Sequence, residues 1–144
     1  MCMHVRAILD EKGRNVLTIG PDATLEDAAR VLQENRIGAL VVLGMNEQIK
    51  GILSERDIVN AIARDGAEAL KKTVSVAMTS NVHRCTEEMT VDALMSLMSE
   101  KRCRHIPVEA DGKLAGMVSI GDVVKSRIRE IEFEAQSIKA YIAG

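Results

Sequence analysis

The chain has 144 residues, 47% of them apolar, and a formal net charge of -2. That length holds one ordinary domain or two very small ones sharing a core, and the apolar share excludes a disordered chain. The slightly acidic balance excludes a nucleic-acid backbone as partner, and with no Trp, one Phe (Phe133) and one Tyr (Tyr141) there are no stacking platforms for single-stranded bases.

VRAIL (5–9) is an apolar lead-in. VLTI (16–19) reads as a short strand ended by Gly20-Pro21-Asp22. Thr24 then opens a helix, because Thr24-x-x-Asp27 places an oxygen and a carboxylate near the free amides of a first turn. Leu25, Ala28, Ala29, Val31 and Leu32 give that helix its apolar face, and Gly38 ends the pattern. GALVVLG (38–44) predicts a buried strand, GMNEQ (44–48) a hairpin loop and KGILS (50–54) the returning strand. Ser54 opens a second helix that runs through DIVNAIARDG (57–66).

The same order then recurs. VSVAM (74–78) answers VRAIL, and VHRC (82–85) is the next expected strand. A helix over TVDALMSLMSEK (90–101), strands over HIPVEA (105–110) and KLAGMVS (113–119) with Asp111-Gly112 as the turn, and a helix from about Ile120 complete the second copy. Residues 16–44 lie over 82–110, so that Val16 meets Val82, Thr24 meets Thr90, Arg36 meets Arg102 and Val42 meets Val108. After one extra loop residue in the first copy, GILSERDIV (51–59) lies over GMVSIGDVV (116–124). Gly51, Ser54 and Asp57 thereby meet Gly116, Ser119 and Asp122. A βαββα unit covers only one face of its sheet with helices. Two such units are expected to pack sheet to sheet about a pseudo-twofold axis, leaving two equivalent clefts.

The doubled pattern, the two G-x-x-S-x-x-D endings in register, the RHIPV segment (104–108) and the Met78-Thr79 lead-in resemble a tandem pair of CBS domains, modules named after a domain of cystathionine β-synthase. The resemblance covers residues 1 to about 128. It implies an α+β fold of two βαββα repeats with a C-terminal helical extension: 1–66 and 67–128 as the repeats, 129–144 as the tail. It also implies a regulatory, non-catalytic role, with an adenosine-containing ligand (AMP, ADP, ATP, S-adenosylmethionine or NAD(H)) and a separate effector protein.

Each Ser-x-x-Asp has two readings. As a capping box it satisfies the first helical amides and favours the positive dipole end. As a ligand site, the helix start suits a phosphate, and the carboxylate offers two acceptors to the vicinal hydroxyls of a ribose. The two readings are compatible. The base needs an aliphatic slot, and the candidates are Ile19, Ile37, Ala39 and Leu40 in the first copy, with Val82, His83, Ile106 and Pro107 in the second; Gly38 and Ala39 are small enough for a flat base to approach. Arg56 stands ready for phosphate beside Asp57, and Arg104 and His105 are its equivalents in the second copy, where Gly121 replaces Arg56. The clefts are therefore unequal, and the one closed by Asp57 is expected to take the more highly charged ligand end. Thr18 and its counterpart Arg84 stand at a frequent contact position of such modules. Met78, Thr79, Ser119 and Asp122 complete the candidate set.

Beyond the repeats, Val124, Ile128, Ile131, Ala135, Ile138 and Ile142 follow a 4-3-4-3-4 spacing, the narrow seam of a coiled coil. Such a helix folds back on its own subunit or packs against a second chain, and a homodimer is the expectation. Three cysteines, Cys2, Cys85 and Cys103, are too few and too scattered for a disulfide framework and fit a reducing compartment, with Cys85 and Cys103 as core thiols. No metal-ligand spacing, P-loop, G-x-G-x-x-G or triad spacing occurs, so neither a metal site nor an enzyme is expected. A cytoplasmic protein without membrane contact is the default, since the chain shows neither a signal-peptide pattern nor a span of apolar residues.

Overall fold

The computed structural model describes residues 3–143, which leaves Cys2 outside. In chain order the elements are α1 (Val5–Lys12), β1 (Thr18–Ile19), α2 (Leu25–Asn35), β2 (Ala39–Leu43), β3 (Ile49–Ser54), α3 (Glu55–Asp65), α4 (Val74–Ala77), α5 (Val91–Lys101), β4 (His105–Ala110), β5 (Lys113–Ser119) and α6 (Ile120–Ala143). Short 3-10 turns fill Met45–Glu47 and Gly66–Lys71. β1 pairs parallel with β2, and β2 antiparallel with β3. β4 and β5 form an antiparallel hairpin whose turn residues, Asp111 and Gly112, take positive φ of 54° and 78°. Left-handed conformation at both central residues matches the twist of the strands, which is why an Asp-Gly pair serves there.

Two expected strands shorten. VLTI contributes only Thr18–Ile19. VHRC is not a strand: Cys85 alone joins the second sheet, through a parallel bridge to Val108. The chain is drawn off on either side of that point. Thr79 exchanges backbone hydrogen bonds with Ile52 of the first half at 2.9 and 3.0 Å. The Arg84 guanidinium donates to the Ile49 carbonyl at 3.0 Å and to Glu109 at 3.1 Å.

The two halves have separate helix-side cores. Leu25, Ala28, Leu32, Leu40, Val42, Leu53 and Ile58 build the first. Cys85, Val91, Leu94, Met98, Ile106, Val108, Val118 and Val123 build the second. Alternate strand residues face the other way. Ala39 and Val41 on β2 and Pro107 on β4 are buried without belonging to either cluster, because the two sheets cover one another on that face.

The lead-ins are exchanged. Val5, Ile8 and Leu9 of α1 lie in the core of the second half. The backbone confirms the crossing, with Val5 N–H donating to Met89 O and Val91 N–H to Met3 O at 2.9 and 2.8 Å. Reciprocally, Val74 of α4 sits in the first core, and its N–H donates to Ala23 O at 2.7 Å. Each lead-in passes directly over a glycine of the repeated motif. A Cβ on Gly51 would fall 2.6 Å from the Thr79 carbonyl oxygen and 2.9 Å from the Met78 sulfur. One on Gly116 would fall 2.9 Å from Leu9 Cδ2. Close crossing, not turn geometry, is the reason for glycine at both positions.

Candidate functional site

The repeated Ser and Asp do form capping boxes. Ser54 N–H donates to Asp57 Oδ2 at 2.9 Å, and Asp57 N–H to Ser54 Oγ at 3.3 Å. In the second copy Ser119 N–H donates to Asp122 Oδ2 at 2.9 Å, and Asp122 N–H to Ser119 Oγ at 3.2 Å. Each helix start is also tied to the residue that opens the neighbouring strand, Glu55 N–H to Gly38 O just before β2 at 3.0 Å and Ile120 N–H to Arg104 O just before β4 at 2.8 Å. The boxes fix both carboxylates through one oxygen.

A cavity of about 840 Å³ opens between the halves at the first box. Gly38, Ile52, Ser54, Glu55, Arg56, Asp57 and Val59 form its wall on the first half. Thr79, Asn81, Val82 and His83, then Lys101 to His105, form the wall on the second. Its volume lies within the range of about 300–1,000 Å³ typical of small-molecule sites. The sequence grouping is corrected in part: Val82 and His83 line the cavity of the first Asp, and so do Arg104 and His105, which also adjoin the second box through the Ile120–Arg104 hydrogen bond and the pairing of His105 with Ser119. The exchanged lead-in carries Thr79 to His83 across to the first box, and the pseudo-twofold places β4 opposite β2.

Of the other expected contacts, Leu40 and Ile106 are wholly buried on the helix side of their sheets, out of reach of the cavity. Ala39 and Pro107 are buried between the sheets. Met78, Ile19 and Ile37 pack on the first core. Thr18 stands exposed on β1, and Arg84 is spent on Ile49 and Glu109. Sequence reasoning missed Lys101 and Arg102, at the end of α5. The signal for them was the Arg36–Arg102 match: both arginines follow a helix in left-handed conformation, with φ of 54° and 55°.

Four cations against two carboxylates, Glu55 and Asp57, leave the cavity lining with a positive balance that favours an anion. The cations are Arg56, Lys101, Arg102 and Arg104, and among the described residues none of them forms a salt bridge. Among the described residues Asp57 has no hydrogen bond beyond its box. His105 is held below the usual histidine range by burial first and then by nearby Lys12. It is therefore a neutral donor or acceptor at neutral pH, not a cation as the sequence suggested. The second box differs: Lys12 Nζ donates to Asp122 Oδ2 at 2.6 Å. Burial raises the Asp122 pKa, and the hydrogen bonds from Lys12 and Ser119 outweigh it, leaving the carboxyl below its usual range.

Left-handed arginines carry a steric penalty that glycine escapes. Arg36→Gly and Arg102→Gly should each raise stability by about 0.5–1 kcal/mol net of the extra chain entropy of glycine. Only Arg102→Gly also removes a cation from the cavity wall. Thermal melts of both variants check the pair.

Cys85 is buried, and burial pushes its thiol up to about 12, so it is an inert core thiol. Cys103 is half-buried: it packs against the second core and also borders the cavity. Among the described residues no group of three or more His, Cys, Asp or Glu could hold a metal ion, and no helix is long and apolar enough to cross a membrane.

The CBS-domain family model matches twice, over residues 5–64 and 72–129. This chain belongs to the CBS-domain family. A mitochondrial CBS domain-containing protein of Arabidopsis thaliana is 37% identical over 145 residues, covering 95% of this chain and 70% of that protein. The crystal structure of a CBS-domain containing protein from Agrobacterium tumefaciens is 50% identical, with a TM-score of 0.84 over 88% of this chain and 95% of that one. A CBS domain pair crystallised with 5′-methylthioadenosine and S-adenosylmethionine shares the fold, with a TM-score of 0.80 at 24% identity over 90% of this chain and 99% of that one. The tandem CBS repeats and the C-terminal helix read from the sequence are thus those of a known architecture, a regulatory module.

Proposed function

We propose that this CBS pair is a sensor that binds an adenosine nucleotide (AMP, ADP or ATP, or NAD(H)) in the cleft at Asp57 and signals to a separate effector protein in the cytoplasm. The observation that carries this reading is a carboxylate that, among the described residues, bonds only within its own cap, beside four cations that form no salt bridge there. Asp57 offers its second oxygen to the ribose diol, while Arg56 and Arg104 take the phosphates. Val82 and Ile52 supply apolar surface for the base. Ser54, Thr79, His83 and His105 supply the polar edge. A fold relative that holds two adenosine derivatives supports the ligand class. S-adenosylmethionine itself is disfavoured by its positive sulfonium in a cationic cleft.

Calorimetry with AMP, ADP, ATP, NADH, S-adenosylmethionine and GMP tests the reading. Heat from the anionic adenosine ligands, with GMP silent, is expected. Silence from all of them favours the second reading, an adaptor whose Ser and Asp serve only as caps. That reading draws on the closed boxes in both copies. Turnover of any nucleotide would make the protein an enzyme and contradict both.

The homodimer belongs to the same proposal. Along α6 the seam residues Val124, Ile128, Ile131, Ile138 and Ile142 are 46%, 51%, 52%, 59% and 78% exposed, so the seam is not folded back on its own subunit. Too short to stand alone, such a helix gains its stability by burying the seam against a second copy. Truncation after Ser126 should lower the melting temperature and shift the sedimentation coefficient toward a monomer. A truncated protein that remains dimeric at the same concentration removes the tail from the interface.

A further inference from the structure

Resting on the reading of the first cleft, we infer that the second cleft is closed by the protein's own Lys12, so that each chain takes up one nucleotide and not two. α1 and α4 are equivalent lead-ins of unequal length. α4 stops at Ala77, after four residues, whereas α1 runs for eight, to Lys12. The shorter one lets the chain fall into backbone pairing, and Thr79 N–H donates to Ile52 O at 2.9 Å. The equivalent carbonyl in the second half, Met117 O, receives Lys12 Nζ instead, also at 2.9 Å. The extra helical turn therefore substitutes an ammonium for a backbone amide.

That ammonium also holds Asp122 Oδ2, the counterpart of the Asp57 carboxylate. A lysine with three donors competes directly with the two donors of a sugar diol. The surroundings agree. Where the first cleft has Arg56, Lys101, Arg102 and Arg104, the repeat places Gly121, Asn35, Arg36 and Gly38 at the equivalent positions. The second cleft keeps one of the four cations, Arg36, and has filled its sugar position from within. Lys12 thus determines occupancy, and the Lys12–Asp122 pair ties α1 to the start of α6.

Equilibrium dialysis of the full chain against labelled adenosine tests this, because an uncharged nucleoside reads sugar and base contacts alone. Wild type should take up one equivalent per chain, Lys12→Met two, and Lys12→Met with Asp122→Asn one. Lys12→Gln is a second opener, in case the Met variant melts abnormally. Two equivalents in wild type, or one in both folded openers, overturns the inference and leaves the first cleft standing. Two in wild type falling to one in Lys12→Met would instead make Lys12 a ligand contact. No uptake of adenosine or AMP by any of these proteins overturns the first-cleft reading and this inference with it.

Discussion

Asp57→Asn should weaken AMP binding roughly 10- to 100-fold, the worth of one or two hydrogen bonds to a charged acceptor. The amide retains an oxygen but loses the charge and replaces its second acceptor with a donor, which a ribose hydroxyl must then accept from. The substitution also weakens a capping box, at a cost of about 1 kcal/mol. Asp122→Asn separates the two effects. It breaks an identical box, with the same 2.9 Å bond from its own Ser amide, at a position already held by Lys12. Its melting temperature should fall as far or further, since it also removes an ion-pair partner, while AMP affinity stays as in wild type. Isothermal titration and thermal melts of the two variants together read both quantities. Equal loss of affinity in both would place the effect in the helix caps and remove the ligand role from Asp57.

Gly51→Ala should cost about 1–3 kcal/mol, the usual range for forcing atoms into a packed site. The added Cβ would lie 2.6 Å from a backbone oxygen, that of Thr79, which is itself bonded to Ile52 N–H at 3.0 Å. No rotamer change relieves that contact, so the strand crossing must open. Thr79 to His83 form one wall of the cleft, and AMP affinity should fall along with stability. Gly116→Ala is the matched control. Its Cβ meets only the end of the Leu9 side chain, at 2.9 and 3.1 Å, and the second half can adjust without disturbing the first cleft. Denaturant melts should show the larger loss at Gly51, and AMP titration should show a loss at Gly51 alone.

These two positions also show what the sequence disclosed. The strands and helices follow from local patterns, such as the continuous apolar run through Ala39–Leu43, helical spacing through Leu25, Ala28 and Leu32, and Ser-x-x-Asp at a helix start. Each is decided by residues a few places apart. The repeat itself supplied the pairing of the halves. What no local pattern encodes is which half a lead-in joins. The crossing of α1 and α4 is a through-space choice, and it alone carries Val82 and His83 to the first motif. The same holds for Lys12 on Asp122, two residues 110 positions apart in the chain. Strand length failed for a related reason. VHRC has strand composition, but Thr79 bonds to Ile52 and Arg84 to Ile49 on the opposite half, and two such anchors so close together leave only Cys85 on the sheet. The αL arginines, by contrast, were visible as a matched pair, and their place at the helix ends is a local feature that positions Arg102 on the cleft.

The central claim is that the carboxylate of Asp57 holds the sugar of an adenosine nucleotide between the two repeats. A crystal structure of the full chain grown with AMP addresses it most directly. The expected density shows the ribose hydroxyls on Asp57, the phosphate near Arg56 and Arg104, and the equivalent position at Asp122 still filled by Lys12. An empty cleft, with Asp57 bonded to nothing except the Ser54 amide, would contradict the account.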